Sequence, residues 1–355
     1  MLVWLFMLAS IIVIWFMIPD ALGEKKKKLI FLGLAFFVIV MILGGRHYSA
    51  ASSTDLYGYQ KWYIRAIDMP LDQLLSYDVM EEGYLILNKV LAFFVPWGQF
   101  IYYFQAAFCT GIMFWYIYRN TENVFLGAIV YVCIGPWQFF LTGFRQSIAC
   151  CICFIAFELI KKQKTSTDFI ALALVALAST MHTTAWLFLI VFVIRRFKVG
   201  KEIIVFSGVI TLMALVFSES LMAMGNKYLG REYAGGLYSG NVFAGLVPIL
   251  IYLITFMLCY FVSRNDKSFT EEYSMEIKML IFGLCIYSLR YNTTLFERLS
   301  LFFTPVISVL LPSAIAKQNN KKDKIILSVA CVGMCVLLFV YRASVQYGEY
   351  HFYWE

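Results

Sequence analysis

The chain has 355 residues, of which 61% are hydrophobic, 18% aromatic and 14% charged, with a formal net charge of +7. A soluble domain of this length has too little buried volume to hide that much apolar surface, so a soluble globular class is excluded and lipid must be the solvent for much of the chain. Apolar runs of roughly 16 to 20 residues recur from end to end, long enough to span a hydrocarbon core of about 30 Å as helices, whose backbone polar groups are satisfied internally.

The first run, Met1 to Ile18, lacks a basic leading segment, and no small-residue cleavage site precedes Glu24, so it is expected to be a retained span and not a signal peptide. Basic clusters then punctuate the chain at Lys25–Lys28, at Lys161, Lys162 and Lys164, at Arg195–Lys201, at Arg264 with Lys267, and at Lys317–Lys324. The positive-inside rule makes these loops cytoplasmic. Crossings follow at 2–19, 29–44, 100–118, 124–141, 145–160, 169–181, 183–194, 203–218, 242–262, 275–290, 298–315 and 324–341, with both termini outside. The stretch Tyr84–Pro96 is too short to span and is assigned as a re-entrant or interfacial helix. The fold class is thus an all-α polytopic transmembrane helical bundle of about twelve spans. It forms one domain over 1–355, with a large extracytoplasmic loop at 45–99. The runs 169–181 and 183–194 are also short and read as a hairpin whose apex, at His182, is sunk below the outer surface.

On this topology the inner loops are dominated by lysine and the outer side by arginine. Arginine binds phosphate bidentately and stays charged when partly buried, so the outer face is expected to meet a phosphate ligand, with snorkelling at helix ends as the plainer alternative. The outer loop carries Arg46 and His47 at a helix exit, Asp55 among small residues, and the aromatics Tyr57, Tyr59, Trp62, Tyr63, Tyr77 and Tyr84. Such rings argue against disorder and suit sugar C–H faces, or equally an interfacial aromatic belt. Arg145 and Gln146 open a helix, where a guanidinium and the helix dipole converge. His182 is an ionisable residue at membrane depth, a functional candidate by default, although a histidine satisfied by a carbonyl reads the same way. The last outer loop offers Arg290, Tyr291, Glu297 and Arg298, with Glu297 beside Arg298 either a local ion pair or a ligand contact.

The nine cysteines all fall inside apolar runs and are expected to be packed thiols, with no disulfide and no metal site. There is no Walker loop, no G-x-G-x-x-G after a strand, no H-E-x-x-H and no D-x-D, so a nucleotide donor, a metal and a cofactor are not expected. An outward site of this kind fits a leaving group that is a membrane-anchored phosphate or pyrophosphate.

Several segments then take on a familiar order: Arg46 followed by D-x-Y-x-Y from Asp55, E-x-G-Y-x-x-L-N over 81–88, F-R-Q-S-I-A from Phe144, M-H-T-T-A from Met181, and E-R-L-S-L-F-F-T-P from Glu297. In order and spacing, from about Arg46 to Pro312, the chain resembles the EpsG branch of the Wzy-type bacterial polysaccharide polymerases. The family's usual first-loop G-T-D appears here as S-T-D, ending on Asp55.

The resemblance implies an inverting, metal-independent glycosyltransferase of the bacterial cytoplasmic membrane. It would move a growing glycan from undecaprenyl pyrophosphate onto a lipid-linked acceptor in exopolysaccharide or capsule synthesis. Arg46, Asp55, Arg145, Gln146, His182 and Arg298 sit on the family's motif positions. Guanidinium groups would stabilise the leaving pyrophosphate, and His182 or Asp55 would take the acceptor proton. The expected partners are the undecaprenyl-pyrophosphate-linked glycan, membrane lipids and other polysaccharide export proteins, with no nucleic acid. The rival readings are a flippase or transporter for lipid-linked glycans, a polytopic O-acyltransferase acting on surface sugars, and a transferase using a polyprenyl monophosphate sugar, which Asp68 and Asp72 would suit.

Overall fold

The computed structural model describes the chain apart from residues 52–53, 78, 135–136, 218–241, 292–294 and 346. Among the described residues every element is helical, apart from one isolated antiparallel bridge between Arg46 and Phe352. Helices Glu24–Gly44, Phe100–Asn120, Leu246–Asn265 and Lys321–Val345 are long and apolar enough to cross a membrane, and several shorter apolar helices accompany them. Large apolar side chains such as Phe6, Phe37, Ile254 and Leu337 point outward from these helices, the arrangement of a protein embedded in lipid.

The chain forms two compact units, Met1–Phe188 with Asn319–Glu355, and Leu189–Gln318. In the first, α1 (Leu2–Met17) and α2 (Glu24–Gly44) pack together, and α2 packs on α6 (Phe100–Asn120). Helix α9 (Phe144–Ile160) lies against both α6 and α10 (Thr165–Met181). The C-terminal helix Lys321–Val345 returns onto α7 (Val124–Cys133). The expected run 124–141 is divided, because α7 stops at Cys133 and a short helix, α8, covers Trp137–Phe140. Pro136 between them has no N–H with which to extend the ladder of α7.

The segment 45–99, expected to be a large extracytoplasmic loop, is largely helical. In α3 (Thr54–Asp68), Leu56, Tyr59, Tyr63 and Ala66 recur every three or four residues and are buried, which is the spacing of one helix face. After the short α4 (Leu71–Leu75) comes α5 (Glu82–Phe94), whose 13 residues reach about 20 Å, too little to cross the membrane. Lys89 on α5 donates to the carbonyls of Ala66 at 2.9 Å and Met69 at 2.6 Å, satisfying oxygens at the end of α3 and tying the two helices together. Arg65 lies over the Trp62 ring, 4.5 Å from its centroid.

Helix α10 ends at Met181, and His182 is extended at φ −157°, so the break expected at this residue is present. The following arm differs from expectation: Thr183–Ile190 is a 3-10 helix and only α11 (Val191–Ile194) is α-helical. The steeper rise carries these residues about 22 Å, further than an α-helix but still short of the roughly 30 Å core.

The second unit contains α12 (Lys201–Val216), α13 (Val242–Asn265), α14 (Lys267–Glu272), α15 (Ser274–Ser288), α16 (Leu295–Ser300) and α17 (Ile307–Ala316). Helix α15 is its centre and packs on α12, α13 and α16. The expected continuous run 298–315 is interrupted by a 3-10 turn at Thr304–Val306, where Pro305 sits at the start.

Candidate active site

Glu81 is the N-cap of α5, and its carboxylate faces the end of α10 and the start of α9. Oε1 accepts hydrogen bonds from His182 Nδ1 at 2.8 Å and from the Thr183 N–H at 3.2 Å, and Oε2 pairs with Arg145 Nη1. The helix break supplies both of the first two donors. It turns the imidazole out of α10, and it leaves Thr183 among the first residues of a new helix, whose N–H groups have no partner within that helix.

Gly83 brings α5 close enough for these bonds to form. A Cβ at this position would lie 2.7 Å from the Thr180 carbonyl oxygen, so the close approach of α5 to α10 requires glycine. Tyr84 follows and is fully buried. The E-x-G-Y stretch thus provides a ligand for histidine and arginine, a close helix contact and a core anchor within four residues.

Burial alone would raise the Glu81 carboxyl, but the His182 hydrogen bond and the Arg145 charge outweigh it and lower the pKa from 4.5 to about 2. Glu81 is therefore ionised and can only accept. It follows that Nδ1 carries the His182 proton and that Nε2 of the neutral ring carries a lone pair.

Phe144, just before Arg145, stacks on Tyr59 with centroids 4.8 Å apart and ring planes 7° apart. Tyr59 also lies beside the Arg145 guanidinium. Gln105 fixes the start of α9 by donating from Nε2 to the Phe140 carbonyl at 2.8 Å and to Ser147 Oγ at 3.3 Å. Gln146 is buried in the same first turn. Arg46 is fully buried, its guanidinium 5.7 Å from the Phe144 centroid and 5.8 Å from that of Tyr102.

Of the residues singled out in sequence, the structure joins Arg145 and His182 through Glu81, and Arg46 and Gln146 share their unit. Asp55 is exposed in the first turn of α3, and the Glu81 bonds described above run to Arg145, His182 and Thr183, not to it. Arg290, Tyr291 and Arg298 belong to the second unit. There Glu297 pairs with Arg290, seven residues back. The side chain of Tyr291 lies outside the described residues. Glu81 is the residue that sequence reasoning missed, although its motif was in view.

No curated protein and no solved structure matches the chain. A family model described as EpsG family matches residues 29–354, a span that contains every site residue named above. By that match the chain belongs to the EpsG family.

Proposed function

We propose that this protein is a polysaccharide polymerase that transfers a glycan from undecaprenyl pyrophosphate to a lipid-linked acceptor on the outer face of the cytoplasmic membrane. Membership of the EpsG family supports a polymerase-type role in polysaccharide biosynthesis generally. The observation that carries the finer reading is the single carboxylate, Glu81, that holds His182 and Arg145 together.

In this reading the acceptor hydroxyl oxygen attacks the anomeric carbon of the donor. The C–O bond to pyrophosphate breaks with inversion, and its electron pair leaves on the pyrophosphate oxygen. His182 Nε2 takes the hydroxyl proton, a contribution of about a hundred- to ten-thousand-fold for a positioned base. Glu81 holds the ring in the required tautomer and stabilises the imidazolium that forms, as a carboxylate beside histidine does in other acid–base sites. Arg145 fixes Glu81 on one edge, with Tyr59 beside the same guanidinium. Twelve crossings with both termini outside are part of the same proposal, and they put this cluster at the outer face.

The test is to incubate the purified protein with a lipid-linked repeat unit and separate the products by size. A ladder of repeat-unit spacing supports polymerisation. Movement of intact substrate across a vesicle membrane without a ladder would favour a flippase.

A further inference from the structure

Arg145 is already matched by a carboxylate, so its charge is largely spent on Glu81, whereas Arg46 is not matched. Among the described residues Nε, Nη1 and Nη2 of Arg46 have no hydrogen-bond partner, and the side chain is fully buried. Burial lowers the Arg46 pKa to about 10, with Tyr102 and Tyr350 acting in the other direction, so the group is still cationic at neutral pH. A buried cation without an acceptor is destabilising, and an apolar residue of similar shape would ordinarily serve the fold better.

The main chain around this cation is held from several directions. Gln99 Nε2 donates to the Arg46 carbonyl at 2.8 Å and to that of Gly44 at 2.6 Å. The C-terminal tail pairs with both flanking residues: the Tyr353 N–H donates to the Gly45 carbonyl at 2.9 Å, and the His47 N–H donates to the His351 carbonyl at 2.8 Å. Tyr350 adds a hydrogen bond from its hydroxyl to the Ile42 carbonyl at 2.6 Å. The main chain that carries Arg46 is therefore held in part by contacts from the far end of the chain, while its guanidinium has no hydrogen-bond partner among the described residues.

We propose that Arg46 is the seat of a pyrophosphate oxyanion and that the C-terminal tail, Tyr347–Glu355, forms one wall of that seat. The proposal rests on the polymerase reading only for the identity of the anion as that of a lipid-linked donor. A guanidinium offers five N–H donors in a planar fork matched to phosphate oxygens, and the Phe144 and Tyr102 rings exclude water that would screen the pairing.

The test uses the full chain in phosphatidylcholine nanodiscs, with thermal unfolding and calorimetric titration of inorganic pyrophosphate and, separately, farnesyl pyrophosphate. Arg46→Met keeps the apolar stem and removes the charge. The proposal expects its melting temperature without ligand to equal or exceed that of the unaltered protein, while affinity for both probes falls at least tenfold. Deletion of residues 350–355 should lower affinity for the same probes with Arg46 still present. A melting temperature lowered by Arg46→Met, together with unchanged pyrophosphate affinity, would make Arg46 a packing residue and overturn the proposal. So would stabilisation by phosphatidylglycerol nanodiscs alone, which would make it an anchor for ordinary lipid headgroups. A ladder assay run in parallel separates the two claims: Arg46-dependent pyrophosphate binding without a ladder refutes the polymerase reading alone, and an undiminished ladder from Arg46→Met refutes the seat alone.

Discussion

His182 Nδ1 and Glu81 Oε1 lie 2.8 Å apart although the residues are 101 positions apart in the chain, and this bond sets the tautomer of the one histidine at the helix break. Replacing the carboxylate by an amide removes that control, because an amide can donate as well as accept. Glu81→Gln is expected to slow ladder formation roughly a hundredfold or more while the protein still inserts and remains monodisperse. Timed ladder assays on equal amounts of folded protein check this.

The same carboxylate gives the fold an acid-sensitive contribution. Its pKa falls from 4.5 to about 2 on folding, so the stabilisation is fully present above 4.5 and is lost as pH falls through 2. Melting temperatures of the unaltered protein and of Glu81→Gln should differ most near neutral pH and converge as the solution is acidified toward 2. A gap that stays constant over this range would show that Glu81 is not ionised in the way described.

The apolar helices and the break at His182 were legible in the sequence because each follows from local spacing, in apolar runs of spanning length and short runs on either side of one polar residue, whereas α3 lies in a segment expected to be a loop. Glu81 was not legible, since Glu82 stands beside it and nothing local distinguishes them. Only the approach of α5 to α10, permitted by Gly83, selects the first of the pair. The pairing of Arg46 with the tail was hidden for a similar reason, because it joins the two ends of the chain through main-chain groups that every residue has. The pairing of Glu297 with Arg290 was likewise hidden, because the two stand seven residues apart and only the local fold brings them together.

Gly83→Ala tests the close helix contact directly. The added methyl would meet Thr180 and push α5 away from α10, lengthening the bond from Glu81 to His182. The variant should lose most polymerisation with only a modest fall in melting temperature. Activity equal to that of the unaltered protein would mean that the two helices can shift without disturbing the site.

Lys89 and Arg145 are expected to behave differently. Lys89→Met removes donors to the Ala66 and Met69 carbonyls and should cost about 1–3 kcal/mol of stability, read from thermal unfolding, with activity per folded molecule preserved. Arg145→Lys keeps a charge but loses the planar fork that grips Glu81, and it should cripple the ladder, while the exposed Lys162 should tolerate alanine.

The central claim is that His182 removes the acceptor proton within the cluster organised by Glu81 and Arg145. The most direct measurement compares His182→Ala with the unaltered protein for chain growth and, in the same preparation, for binding of the lipid-linked donor. The account predicts that the ladder is abolished while donor binding is retained, because a base acts on the acceptor and not on the donor pyrophosphate. A full ladder from His182→Ala would contradict it and leave Asp55, exposed at the start of α3, as the candidate base.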